Sequence, residues 1–98
     1  MPHFFLRLVP PRPTFAEGMT PEEAAVMEKH AAYLSGLVDK GPGVAFGPVF
    51  DPAGAWGLGI VEAADEAEAR AFTDADPVVI AGIARYEIVP MRLSFARR

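Results

Sequence analysis

Phe4, Leu6 and Leu8 alternate with Phe5, Arg7 and Val9 between His3 and Val9, and this two-residue period predicts a strand with two distinct faces. His3 shares the face of Phe5, Arg7 and Val9. Pro10-Pro11-Arg12-Pro13 ends the strand, because proline has no amide hydrogen to give a neighbouring strand. The segment on through Phe15 and Met19 is predicted as an extended arm over the surface. At Thr20 the pattern changes to a helical one. Thr20 is a capping residue, Pro21 suits the first helical position, and Glu22 and Glu23 meet the positive end of the helix dipole. Thr20-x-x-Glu23 also has capping-box spacing. Met27, Ala31, Leu34 and Val38 recur as an apolar stripe, with Leu37 at its margin, and Gly41 supplies a stop after Lys40.

Val44 to Phe50 is predicted as a second strand, with a bulge or an edge position implied by Gly47-Pro48. The turn chemistry of Asp51-Pro52-Ala53-Gly54 returns the chain into a third strand, Trp56 to Val61. A second helix runs from Asp65 to Phe72, Asp74-Ala75-Asp76-Pro77 ends it, and a brief turn covers Pro77 to Ala81. The last strand is predicted from Ile83 to Val89, and alternation resumes beyond Pro90 as Met91, Leu93 and Phe95. The order is β-α-β-β-α-β: an α+β domain of the ferredoxin-like, split βαβ type, with a four-stranded antiparallel sheet and both helices on one face. No internal repeat interrupts it, and residues 1–98 are expected to form one domain.

Composition adds an expectation about assembly. A chain this short removes only about 60–65% of its unfolded surface from water. Yet 51% of the 98 residues are hydrophobic, and the surplus points to a subunit interface, a homodimer through the bare sheet face. The tail after Pro90 would then be free to reach the partner. Cysteine is absent, which excludes disulfides, thiolate metal sites and a cysteine nucleophile. A net charge of −4 argues against nucleic acid as a partner, and the terminal pair Arg97-Arg98 is too small a basic patch to alter that. No stretch reaches the roughly 20 apolar residues of a membrane span, and the start reads as a strand and not as a signal peptide. A cytoplasmic location is expected.

Among the residues able to carry chemistry, His30 comes first. At a hundred degrees per residue it falls between Leu34 and Leu37, at the edge of the apolar stripe, so a titratable ring is aimed at the interior or at a pocket rim. One reading is a buried histidine satisfied by backbone or by a dimer seam; the other is a general base, since imidazole titrates nearest neutral pH. Asp76, just before Pro77, is placed to cap the following turn and equally to orient His30 and fix its tautomer; two carboxylate oxygens allow both. Arg7, on the strand face opposite Phe4 and Leu6, is a candidate for holding an anionic substrate or for pairing with a carboxylate. Tyr33 is a candidate pocket wall, as is Trp56, where either could instead simply pack. Arg12 on the arm could close a site or be a solvated charge. His3 and His30 lack a metal-ligand spacing, the glycines follow no phosphate-loop pattern, and no cofactor is expected. Gly57 and Gly59 lie on one strand face, where a ligand or backbone could approach closely.

The run Lys29 to Leu37 (KHAAYLSGL), followed by Gly47-Pro48, Asp76-Pro77, Gly82 and a strand ending near Pro90, resembles the YciI-like (YCII-related) family over about residues 3–90. The resemblance implies a ferredoxin-like fold that dimerises sheet to sheet as a dimeric α+β barrel, with His30 and Asp76 matching the histidine and aspartate proposed as catalytic. It implies a small-molecule ligand and, from relatives linked to eliminations on chlorinated ring compounds, a lyase or isomerase type of reaction. A non-catalytic, ligand-binding dimeric module is the alternative. The chain departs from the family in carrying Glu28-Lys29 where many relatives have an arginine, and in the longer arm Pro10–Pro13.

Overall fold

The computed structural model describes residues 2–97, so that Met1 and Arg98 lie outside the described residues. Its elements are β1 (His3–Val9), α1 (Pro21–Lys40), β2 (Gly43–Val49), β3 (Trp56–Glu62), α2 (Glu66–Asp74), α3 (Pro77–Ile80) and β4 (Arg85–Met91). The strands stand in the order β2-β3-β1-β4, and every neighbouring pair is antiparallel. The helices pack on one face, the ferredoxin-like α+β topology that the alternation of elements predicts.

Register decides which side chains meet the helices. Phe4 pairs with Val61 and Pro90, Leu6 with Gly59 and Ile88, and Leu8 with Gly57 and Tyr86. These rows share the inner face, and Phe4, Leu6, Val61, Ala63 and Ala69 form the core there, joined by Phe46, Phe72, Tyr86 and Ile88. Both glycines lie where the packing is close. A Cβ on Gly59 would stand 2.7 Å from the Phe46 ring, and one on Gly57 would stand 3.0 Å from the Leu8 Cβ. On the outer face the same strands carry Phe5, Arg7, Leu58, Ile60 and Val89, and among the described residues the helices pack on the other face.

α1 begins and ends as its sequence dictates. Thr20 accepts from the Glu23 amide, Glu23 answers to the Thr20 amide, and Gly41 closes the helix at a φ of 110°. Its buried residues, however, are His30 and Leu37 rather than the stripe of Met27, Ala31, Leu34 and Val38, which is half-buried or exposed. The stripe faces a cavity instead of hydrocarbon.

Two further expectations need correction, and a third is met in one of its two forms. β4 starts at Arg85 and runs through Pro90 to Met91, because an edge strand tolerates a residue with no amide hydrogen on its open side. Gly47-Pro48 takes the expected edge position, in register on the outermost strand β2, while the irregularity falls between Gly43 and Ala45. The arm after β1 is not extended: residues 11–18 form a chain of turns that buries Phe15, fixed by bonds from the Phe15 amide to the Arg12 carbonyl and from the Gly18 amide to the Thr14 carbonyl.

Candidate active site

His30 is placed by the middle of α1, Asp76 by the junction of α2 and α3. The second position follows from local chemistry. Asp76 precedes Pro77, adopts extended backbone as the N-cap of α3, and its Oδ1 accepts from the Val78 amide at 3.0 Å. This leaves Oδ2 pointing at α1, where His30 Nδ1 lies 2.7 Å away. Tyr86, on the inner face of β4, donates its hydroxyl to the same Oδ2 at 2.7 Å. Asp76 is wholly buried and His30 is 8% exposed.

The tautomer follows from this donor count. Val78 N–H and Tyr86 O–H are both donors, and an ionised carboxylate only accepts, so the third partner donates too: His30 carries its proton on Nδ1. Nε2 is left as the acceptor. It makes no hydrogen bond among the described residues, yet no buried side-chain nitrogen or oxygen there lacks a partner, which means that Nε2 is open to the space that His30 lines.

That space is a cavity of about 490 Å³ between α1 and the inner face of the sheet. Met27 and Leu34 wall it from α1, Phe46 and Pro48 from β2, and Phe15 and Met19 from the arm. Its size is that of a small-molecule site. The apolar stripe read from the sequence is therefore the cavity wall, with His30 and Tyr86 supplying the polar groups on one side.

Arg7 and Tyr33 are not among the residues lining this cavity. Arg7 projects from the outer face, 4.4 Å above the Trp56 ring and 3.8 Å from Glu87 Oε1, so an anion held there would lie across the sheet from His30. Tyr33 donates to the Phe72 carbonyl at 2.6 Å, tying α1 to α2. Burial, and secondarily the charge of Asp76, raises its phenol above the ordinary value. Arg12 is no solvated linker charge: its guanidinium forks onto Glu23 at 2.7 and 2.9 Å and reaches the Gly18 carbonyl at 2.8 Å, holding the arm against the start of α1. His3 is half-buried, 3.5 Å from Glu62. Among the described residues no group of three His, Cys, Asp or Glu side chains could hold a metal ion.

Tyr86 escaped the sequence reading. The signal was present as an inward position on the last strand, in register with Leu8, but that register is visible only once β1 and β4 are paired. Burial first, then the hydrogen bond to Asp76 and its charge, push the Tyr86 phenol far up, so it stays a neutral donor.

A family model, the YCII-related domain, matches residues 3–92. A solved structure, the 5-chloro-2-hydroxyhydroquinone dehydrochlorinase (TftG) of Burkholderia phenoliruptrix AC1100 in complex with 2,5-dihydroxybenzoquinone, is similar at 21% sequence identity, with 95% of each chain covered and a TM-score of 0.62. At that identity the likeness speaks for the fold. No curated protein matches this chain.

Proposed function

We propose that this chain, which belongs to the YCII-related domain family, is a small-molecule enzyme of the lyase or isomerase type in which His30 acts as general base. One observation carries the reading: the Nδ1–Oδ2 contact of 2.7 Å that leaves Nε2 facing a cavity of about 490 Å³. A guest with an acidic C–H would lose its proton to Nε2. The imidazolium so formed would sit against the Asp76 carboxylate, which Val78 and Tyr86 hold in place. Elimination follows if the carbanion expels a leaving group, isomerisation if the proton returns at another carbon. The similar structure, named as a dehydrochlorinase and bound to a hydroxyquinone, is compatible with the first course. Positioned acid–base help of this kind contributes about 10²–10⁴-fold.

The active form in this reading is a homodimer joined through the outer sheet faces as a dimeric α+β barrel. Phe5, Leu58, Ile60 and Val89 supply the apolar surface. A cavity argues against a purely structural role for the domain. Its apolar walls suit a binding module as well as an enzyme, and turnover separates the two. Chlorinated and unsubstituted hydroxyhydroquinones, incubated with the protein in D2O, should release chloride or exchange ring hydrogen for deuterium, as read by ion analysis and proton NMR. His30→Ala should abolish the signal. Undiminished turnover in that variant refutes the base, and binding without turnover favours the module.

A further inference from the structure

We infer that the ligand of the His30 cavity is an uncharged molecule with an apolar body, an inference that rests on the cavity being the functional site. Among the described residues no aspartate, glutamate, lysine or arginine lines the cavity. Among the described residues the polar side chains on its wall are those of His30, Ser35 and Tyr86, since the Trp56 ring stands on the outer face beneath Arg7. Of these, the Tyr86 hydroxyl is already engaged with Asp76.

The two nearby arginines identified from the sequence are spent elsewhere. Arg12, on the arm that covers the cavity with Phe15 and Met19, is tied into the fork with Glu23; Arg7 lies across the sheet. An anionic guest would therefore lose its hydration without gaining a countercharge, and would also sit near the buried Asp76 carboxylate. A cationic guest fares no better. The two Asp76 oxygens are occupied by His30, Tyr86 and Val78, and the carboxylate is wholly buried behind them. What the cavity offers is apolar wall over most of its surface and one basic nitrogen. A volume of about 490 Å³ is ample for a bicyclic ring system.

The consequence for the chemistry is that negative charge arises only during reaction. A neutral guest gives its proton to Nε2, and the new imidazolium is the countercharge that the ground state lacks. Charge separation is confined to the step that needs it.

Three isosteric bicyclic probes test the class: 2-naphthol, which is neutral at neutral pH, 2-naphthoate, and 2-naphthylmethylammonium. Calorimetric titration of the full chain should give saturable binding of the naphthol, with the two ions weaker by roughly two orders of magnitude. Ser35→Trp, an exposed wall position on α1, should abolish naphthol binding by filling the space, and Ala31→Phe one turn earlier should repeat the effect if the first variant folds poorly. Either ion binding as tightly as the naphthol overturns the inference. So does naphthol that fails to bind, or that binds both wall variants unchanged. A preference for an ion at this site leaves the His30 chemistry standing, whereas turnover surviving His30→Ala leaves the ligand class standing, so the two failures are distinguishable.

Discussion

His30 and Asp76 meet at 2.7 Å across 46 residues of chain, the first on a long helix and the second on the cap of a four-residue one. The contact is the third of three donated to a wholly buried carboxylate, and each of the three constrains the others. Asp76→Asn separates charge from shape. An amide presents one acceptor oxygen and one donor nitrogen where three donors converge, so at least one donor loses its partner. A loss of about 2–4 kcal/mol in unfolding free energy is expected, from charge-assisted bonds worth about 1.5–3 kcal/mol each. Urea denaturation measures it. Nitrogen-15 NMR of the imidazole should at the same time show the Nδ1–H tautomer losing its dominance, and an unchanged tautomer would refute the assignment.

The phenols give a prediction in alkali. Tyr33 and Tyr86 both have raised values, chiefly through burial and with the Asp76 charge contributing to each. Folded protein thus holds these protons more tightly than unfolded chain does. Their contribution to stability is complete below the ordinary value near 10 and declines as pH rises past it toward the folded values. Tyrosinate absorbance should accordingly appear together with loss of the circular dichroism signal, in one transition. A separate tyrosinate step in intact protein near pH 10 would contradict the network. Tyr86→Phe, which leaves Asp76 with two donors, should cost about 1–2 kcal/mol.

Acid tests the arm. The hydrogen-bonded fork from Arg12, followed by the Thr20 amide, holds the Glu23 carboxyl down to about 2 from 4.5. A depressed carboxylate stabilises the fold fully above its unfolded value, and this is lost as pH falls from about 4.5 toward 2. Carbon-13 NMR should find Glu23 titrating at about 2, well below the ordinary 4.5. In Arg12→Gln it should return toward 4.5. The loosened arm should also make Phe15 accessible, visible as faster chymotrypsin cleavage there. Equal cleavage in both proteins would show that the arm is held by Phe15 itself.

The parts of this molecule legible in the sequence are those written in short-range chemistry. Thr20, Pro21 and Gly41 bound α1, Asp65 caps α2 and Asp76 caps α3, because each acts on backbone groups within a few residues. The pairing of His30 with Asp76 was legible as a candidate, since helix phase set one ring inward and a capping carboxylate had a second oxygen to offer. Long-range facts were not. For Arg7 the sequence leaves a pocket anion and a carboxylate partner both open, because alternation tells which residues share a face but not which face bears the cavity; the structure sets it beside Glu87. Tyr86 depended on the register of β1 with β4, and the burial of Phe15 on turns that a proline-rich stretch conceals. The apolar stripe of α1 is legible as a face, but that it walls a cavity is not, as periodicity marks a face that avoids water without saying whether protein or guest covers it.

The outer sheet face supplies the last prediction. Phe5 pairs with Ile60 in register, Leu58 with Arg7, and Val89 with Phe5 from the other side, so an apolar patch occupies the centre of a face that no helix covers. Phe5 packs edge-on to Trp56 at 6.2 Å between centroids, and the Arg7 guanidinium lies 4.4 Å over that same ring. A second copy bringing the same patch by two-fold rotation would cover both at once, burying side chains that one chain leaves half-exposed. Light scattering at micromolar concentration should therefore give twice the mass of 10.5 kDa. Ile60→Lys puts a charge at the centre of that contact and should return the monomer mass. It sits on the opposite side of the sheet from Asp76, so the Nδ1–H tautomer of His30 should persist in the variant. If the wild-type chain scatters as a monomer, the dimer is wrong. If Ile60→Lys stays dimeric, the copies meet elsewhere, and the outer face is not the seam.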